Sequence, residues 1–349
     1  MASIDDHGGW PALLGALLDR THLTAEQARA AMNTILRGDA TPAQLIGFVV
    51  ALRAKGETPA ELAGLLDAVL EHAAIVPLGD DLRDTAVDIV GTGGDQSHSI
   101  NVSTMAAIVT AGAGVPVCKH GARAASSKSG TADVLEALGV AVELTPEGVA
   151  HCVRTAGIGF CLAPAFHPAF RFAAPARREI GIPTVFNLLG PMANPGRVRR
   201  QVIGVANASF AERMVETLRS HGSVHAWVVH GGGLDELTTT GPSDVIELRD
   251  GHISHFRVDA QDFGLAPARN ADLTGGEPAE TAEAVRRVLA GDVGPHRDIV
   301  VLNAGAGLVV GGRAATLEQG IALAIETIDS GAAAETLDRF VAASQQAAG

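Results

Sequence analysis

A short apolar run, Ala86–Val90, passes directly into Gly91-Thr92-Gly93-Gly94-Asp95, and a hydroxyl-rich segment and an apolar helical pattern follow closely. No other feature constrains the chain as much. A strand ending in glycines and followed by a helix is the building unit of an open α/β sheet. The glycines let backbone N–H groups approach a phosphate closely and tolerate positive φ. The loop lacks the Gly-Lys-Ser/Thr of a Walker A motif and the full GxGxxG spacing, so a phosphate cradle and a plain tight turn both stay open at this point.

The same alternation continues downstream. Val115–Cys118, Ile158–Leu162, Gln201–Val205 and Ala226–His230 read as further strands, with helices over Ser103–Ala113, Thr131–Leu138 and Phe210–Ser220 between them. That order predicts a largely parallel sheet covered by helices. Asp250-Gly251, set between Val245–Leu248 and Ile253–Val258, predicts a tight hairpin and therefore a mixed sheet. Residues 1–75 differ. Thr24…Gln27, Thr41…Gln44 and Thr58…Glu61 are three capping boxes, two with proline at the first helical position, and Gly38 and Gly56 stand where the first two helices should end. The expected fold is thus α/β: a small N-terminal α-helical domain over residues 1–78, joined by about 163–200, and a large α/β domain over 79–349 with a mainly parallel mixed central sheet.

Composition narrows the function classes. With 47% hydrophobic and 19% charged residues, the 349-residue chain can bury a large core. A net charge of −13 argues against a general nucleic-acid binder. No apolar run is long enough to span a bilayer, and the acidic start MASIDDHGGW has no signal-peptide core. Cys118, Cys152 and Cys161 form no CxxC pair, which predicts a reducing, cytoplasmic setting. Lysine occurs only at positions 55, 119 and 128, so two of the three lie in one glycine- and serine-rich stretch.

Three further constellations carry chemistry. Ser99-Ile100-Asn101-Val102-Ser103-Thr104 opens a helix whose free N–H groups favour an anion, although an ordinary N-cap accounts for one of its hydroxyls. Lys119-His120-Gly121-Ala122-Arg123 through Ser126, Ser127 and Lys128 follows a strand, where open α/β sheets place ligands. Lys119 and the two serines suit a polyphosphate, whereas a lone histidine such as His120 is more often structural. Asp235-Glu236-Leu-Thr-Thr-Thr240 follows Gly231-Gly232-Gly233; adjacent carboxylates suit a hard cation such as Mg²⁺, or a solvated loop. In an extended segment the two would point apart and serve two ions or one bridging arrangement.

Taken together, GTGGD, the Asn-x-Ser-Thr segment, the KHG block, NLLGPMANP (Asn187–Pro195) and DELTTT resemble, in order and over roughly residues 85–245, the anthranilate phosphoribosyltransferase family. The wider fold is shared with pyrimidine nucleoside phosphorylases. The resemblance implies transfer of the 5-phosphoribosyl group from phosphoribosyl pyrophosphate to the amine of anthranilate, the second step of tryptophan biosynthesis, with two Mg²⁺ ions and a homodimer built through the helical domain. It implies donor binding by Gly91, Gly94, Asp95, Ser99, Asn101, Val102, Ser103, Thr104, Lys119, Ser126 and Ser127. It implies metal binding by Ser103, Asp235 and Glu236, with Lys119 and the two carboxylates as the catalytic set. Acceptor contacts would fall to Gly91, His120, position 122, Phe170 and Arg177, the last meeting the aromatic carboxylate. Two positions depart: the family block reads Lys-His-Gly-Asn-Arg where this chain has Ala122, and Phe170 stands where some members have tyrosine. The alternatives are transfer to a different aromatic acid, prompted by Ala122, then a nucleoside phosphorylase or a non-catalytic ligand sensor.

Overall fold

Each of three early helices starts at a threonine that closes a capping box. Thr24, Thr41 and Thr58 accept the N–H groups of Gln27, Gln44 and Glu61, whose side chains reach back to the threonine N–H groups at 2.8–2.9 Å. In a computed structural model describing residues 3–95, 99–123 and 129–349, these caps open α2 (Ala25–Leu36), α3 (Pro42–Lys55) and α4 (Pro59–Glu71), after α1 (Gly9–Leu18). Gly38 follows the end of α2 at φ +81°, and Gly56 caps α3 at φ +90°. On α3 the buried residues Leu45, Phe48, Val49 and Leu52 keep the i, i+3, i+4, i+7 spacing of one helix face. Helices α2 and α4 meet at backbone distance, since a Cβ on Gly64 would lie 1.9 Å from the Ala25 carbonyl oxygen.

The remaining elements, in chain order, begin with α5 (Asp80–Thr85), β1 (Val87–Gly91), α6 (Val102–Gly112), β2 (Val117–Gly121), α7 (Thr131–Ala137), α8 (Pro146–Ala156) and β3 (Ile158–Leu162). Then come α9 (Ala163–Phe166), α10 (Ala174–Ile180), α11 (Val185–Met192), β4 (Arg200–Gly204), α12 (Ala211–Ser220) and β5 (His225–His230). The hairpin β6 (Ser243–Arg249) and β7 (His252–Val258) precedes α13 (Pro278–Leu289), α14 (Pro295–Val310), α15 (Leu317–Asp329) and α16 (Ala332–Ala348). All five expected parallel strands form, Ile158–Leu162 with the ends expected and the others with ends shifted by up to three residues. The largest displacement is at β2, which starts after Pro116, a residue with no N–H to give a ladder. The expected hairpin turn has Asp250 at φ +50° and Gly251 at φ +82°, the paired positive values of a type I′ turn.

The sheet order is β3-β2-β1-β4-β5-β6-β7, with the first five strands parallel and the hairpin antiparallel. The chain winds outward from β1 through β2 to β3, then returns across β1 to lay down β4 and β5 on its other side. The direction of winding therefore reverses between β1 and β4, and a crevice opens at the carboxyl ends of those strands. Alternate residues of β5 face opposite cores. Trp227 and Val229 pack with α6 and α14, whereas Ala226 and Val228 pack with α12, α11 and the N-terminal helices. Ala173, Ala176, Val185, Phe186 and Leu189, from the 163–200 stretch, share that second core with α2, α3 and α4.

One ion pair anchors the helical layer. Lys55 and Glu61, with side chains 1% and 0% exposed, lie 2.9 Å apart, and Glu61 also accepts N–H groups from Leu23 and Thr58. Removing one partner of such a pair strands the other charge. Lys55→Met is expected to lower unfolding free energy by about 3 kcal/mol, the low end of that range because Glu61 keeps its N–H donors. A denaturant titration checks this.

Candidate active site

The crevice between β1 and β4 is filled by the acidic loop. Gly91 and Gly204, the last residues of these strands, are register partners. A Cβ at Gly204 would lie 1.6 Å from the Asp235 carbonyl oxygen, and one at Gly91 would lie 2.1 Å from Asp235 Oδ2. Only glycine admits the loop at both places. Gly231 gives the same clearance to the Glu236 carbonyl, at 2.3 Å. Asn303 of α14 holds the far side: its carbonyl accepts the Leu237 N–H at 3.0 Å, and its amide donates to the Leu237 carbonyl at 2.8 Å.

The extended segment expected at Asp235-Glu236 does not form: the chain turns at residues 232–233 and bends at 235–236 and 239–241, yet the two carboxylates still diverge. Asp235 accepts the Gly93 N–H at 2.7 Å and bonds Asp95, which brings it into the glycine loop. Glu236 accepts the backbone N–H of Ser103 in the first turn of α6. Burial and the charge of Asp95 push the Asp235 carboxyl up to about 7. Burial and the charge of Asp235 push Glu236 well above the usual carboxylate range. Facing them is Lys119, 2% exposed, whose ammonium donates to the Ile89 carbonyl and, at 3.1 Å, to Ser103 Oγ. Burial lowers its affinity for the proton, and Asp88, Glu236 and Asp235 oppose that.

The α6 start is tied to a distant segment. Ser99 bridges to Thr274, and the Ile100 N–H donates to the Leu273 carbonyl at 2.9 Å. Asn101 is the N-cap residue, Val102 is the buried first helical residue, and Ser103 and Thr104 complete the turn. Thr104 Oγ1 is buried without a hydrogen-bond partner among the described residues. Gly94 and Asp95 close the glycine loop beside them. Ser126, Ser127 and Lys128 lie outside the described residues.

A second group of side chains adjoins Lys119. His120, His167, Phe170 and Phe186 form a chain of ring contacts with centroids 5.0, 5.2 and 5.5 Å apart, and the Arg177 guanidinium lies 4.8 Å above the Phe186 ring. Thus His120, Phe170 and Arg177 come together, with His167 and Phe186 added. Arg177 is half-buried, has no hydrogen-bond or ion-pair partner among the described residues, and its proton affinity is lowered by burial. Burial and the neighbouring imidazole push His120 down to about 3, and burial pushes His167 to about 4, so both rings are neutral. His120 Nδ1 pairs with the Gly190 carbonyl at 3.1 Å and His167 Nε2 with that of Ala193 at 2.9 Å. The other nitrogen of each ring, His120 Nε2 and His167 Nδ1, is a buried acceptor without a partner among the described residues. Ala122 is exposed just beyond β2, and its carbonyl accepts the Ala132 N–H at 3.2 Å.

Asp88 links the two groups, and the motif reading passed over it. Fully buried in β1, it accepts the His120 N–H at 3.1 Å and the Asn194 amide at 2.8 Å. Asn194 donates as well to the Cys118 carbonyl and accepts from Gly196 N–H, both at 2.8 Å. Burial raises the Asp88 carboxyl to about 6 despite these donors and the Lys119 charge. The signal available was an aspartate inside an apolar strand, for which a buried partner must exist.

Among the described residues no three His, Cys, Asp or Glu side chains converge into a self-sufficient metal centre. Two crowded carboxylates facing one ammonium, beside a helix N-terminus, instead suit a hard cation that takes its remaining oxygens from a bound polyanion. The seat of Asp235 sets this geometry. Gly204→Ala is expected to leave the far-UV circular dichroism unchanged while lowering turnover roughly a hundredfold, the scale of a 1 Å misplacement of a reacting group.

The comparisons with known proteins follow the same outline. A helical-bundle domain model of the glycosyl transferase family matches residues 11–73, and the a/b domain model of that family matches 83–334. The anthranilate phosphoribosyltransferase of Salinispora arenicola is 51% identical, over 95% of this chain and 96% of its own. The crystal structure of the Thermus thermophilus anthranilate phosphoribosyltransferase superposes with a TM-score of 0.90 at 40% identity, over 95% of this chain and 99% of the other. That of Saccharomyces cerevisiae, in complex with PRPP and Mg, gives 0.87 at 29% identity, over 97% and 98%. With cores, crevice and both domain models in agreement, this chain belongs to the anthranilate phosphoribosyltransferase family.

Proposed function

We propose that the chain transfers the 5-phosphoribosyl group of phosphoribosyl pyrophosphate to the amine of anthranilate, forming N-(5-phosphoribosyl)anthranilate and pyrophosphate. The observation that carries this is the junction at β2: Lys119 faces the acidic loop and glycine loop, while the next residue, His120, begins the aromatic cluster that ends at Arg177. One half suits a polyphosphate with its cations, and the other suits a flat aromatic acid. The relatives' activity and the PRPP and Mg in the yeast structure support the same reading.

In this reading Gly91, Gly94, Asp95, Ser99, Asn101, Val102, Ser103 and Thr104 surround the donor, together with Ser126 and Ser127. Ser103, Asp235 and Glu236 would hold Mg²⁺, as two ions, one toward each carboxylate. When bound, the metal neutralises charge on the diphosphate and so makes it a better leaving group. Lys119 adds a fixed ammonium on the same side. Arg177 orients the acceptor by its carboxylate, Phe170 and Phe186 supply apolar surface, and Gly91 leaves room at the junction. The C1–O bond breaks with its electron pair going to pyrophosphate, and the amine lone pair forms the C1–N bond from the opposite face, inverting C1. His120 Nε2 accepts an N–H of the amine. Held neutral and weakly basic, it orients that group and leaves the proton of the resulting arylammonium to solvent or the acceptor's own carboxylate. Positioning and electrostatics thus supply most of the acceleration.

The wider setting belongs to the same proposal. The helical domain comprises residues 1–78 joined by about 163–200, and the α/β domain comprises 79–349. A homodimer forms through the helical domain, in accord with Leu18 and Val50, exposed on the packed helices α1 and α3. The cellular site is the cytoplasm, in accord with three buried, unbridged cysteines. No helix among the described residues is long and apolar enough to cross a membrane.

The primary test is pyrophosphate release from phosphoribosyl pyrophosphate across a panel of aromatic acids, with anthranilate expected to be the best acceptor. Preference for another benzoate would support the alternative acceptor that Ala122 raises. In the same assay Asp235→Asn combined with Glu236→Gln is expected to lower the Mg²⁺-dependent rate at least about a thousandfold. Activity of that double variant in the presence of a chelator would overturn the metal assignment. Ala122→Asn adds a hydrogen-bonding group at the acceptor side. It is expected to lower KM for anthranilate by a few-fold to about tenfold while phosphoribosyl pyrophosphate affinity holds. An unchanged KM removes position 122 from the acceptor site.

A further inference from the structure

At the opposite end of the sheet, where β4 and β5 begin, lies a cavity of about 500 Å³. Its charge runs against that of the acidic chain: Arg200, Arg249 and Arg313 line it with His225, and Asp250 is the one carboxylate among its lining residues. None of the three arginines forms an ion pair among the described residues, although the neighbouring Arg199 pairs with Asp84 at 3.3 Å. His225 Nε2 is already taken by Glu247 at 2.8 Å.

The cavity is built rather than incidental. The Arg200 guanidinium is fixed by two backbone carbonyls, Asp84 at 2.9 Å and Val310 at 2.8 Å, so it keeps its full charge and has an N–H edge to spare. Arg313 Nε is held by the Ala113 carbonyl at 3.3 Å, which leaves its terminal amines uncommitted. Arg249 arrives on the hairpin, whose turn is pinned when the Asp250 N–H donates to the Val224 carbonyl at 2.8 Å. Gly312, at φ +76°, lets the connection after α14 bend around the opening. Two guanidinium groups held by backbone carbonyls, with the exposed Arg249 beside them and Glu247 near it, present N–H edges that match the fork geometry of carboxylate and phosphate oxygens.

We propose that this cavity is a second anion site, taking a small multivalent anion, either a polycarboxylate or a phosphate ester. It lies one strand from the crevice. β4 runs from Arg200 at the cavity to Gly204 against Asp235, a span of roughly 15 Å for five extended residues. Helix α14 runs from Val309 at the cavity to Asn303 against Leu237. Two rigid elements therefore join the bound anion to the acidic loop.

Titration calorimetry with citrate and with inorganic phosphate, without Mg²⁺, tests the site on the intact chain, on Arg249→Ala combined with Arg313→Ala, and on Lys119→Ala. At least one probe is expected to bind the unaltered protein with Kd about 1 mM or tighter. That affinity should weaken at least about tenfold in the arginine double variant and stay within about twofold in Lys119→Ala. Tighter citrate identifies the polycarboxylate class, and tighter phosphate identifies the phosphate-ester class. No binding of either probe at about 20 mM overturns the proposal, as does binding that survives the arginine substitutions or is weakened as much by Lys119→Ala.

Discussion

The seating of Asp235 on Gly91 and Gly204 is the contact on which the site depends. The sheet reverses its winding between β1 and β4, and the two glycines at the ends of those strands leave a gap where any side chain would stand. The acidic loop fills that gap with its own backbone. One carboxylate then points into the glycine loop and the next toward the start of α6 and Lys119. A Cβ at Gly204 would overlap the Asp235 carbonyl oxygen, so any side chain there would displace the loop.

A second constraint is electrostatic. Asp88 is a carboxylate in the middle of a sheet, a costly placement unless its oxygens are satisfied. Two of its partners, the His120 N–H and the Asn194 amide, belong to opposite sides of the site. The strand that carries Lys119 is thereby fastened to the segment whose Gly190 and Ala193 carbonyls hold the two imidazoles. The acidic loop and the aromatic cluster share one anchor, so the distance between them is set within the core rather than by loops.

The charge distribution has a matching logic. Beside the glycine loop the chain offers more negative than positive groups, with Lys119 set against Asp95, Asp235 and Glu236. Such a floor repels a bare polyanion and receives one accompanied by divalent cations. The aromatic cluster reverses the sign: neutral imidazoles and an arginine without a carboxylate partner among the described residues suit a monoanionic aromatic group.

Much of this was legible in the sequence, for a definable reason. The capping boxes at Thr24, Thr41 and Thr58, the Asp250-Gly251 turn and the strand-then-glycine pattern at Val90-Gly91 are interactions within a few residues, and local spacing reports them. The resemblance carried by GTGGD, KHG and DELTTT extended that reading to the reaction. Other features were decided only by the tertiary structure. Asp88 and Asn194 are 106 residues apart, and Asn303 and Leu237 are 66 apart. His167, just after α9, and Phe186, on α11, enter the aromatic cluster from segments whose positions depend on the second core. The bend at Asp235-Glu236, expected to be extended, follows the gap left by Gly204, which no period within the loop encodes. By itself the sequence determined which chemical groups the chain has and which local elements present them; packing decided which of those groups meet, because burial and steric clearance are properties of pairs brought together by the whole fold.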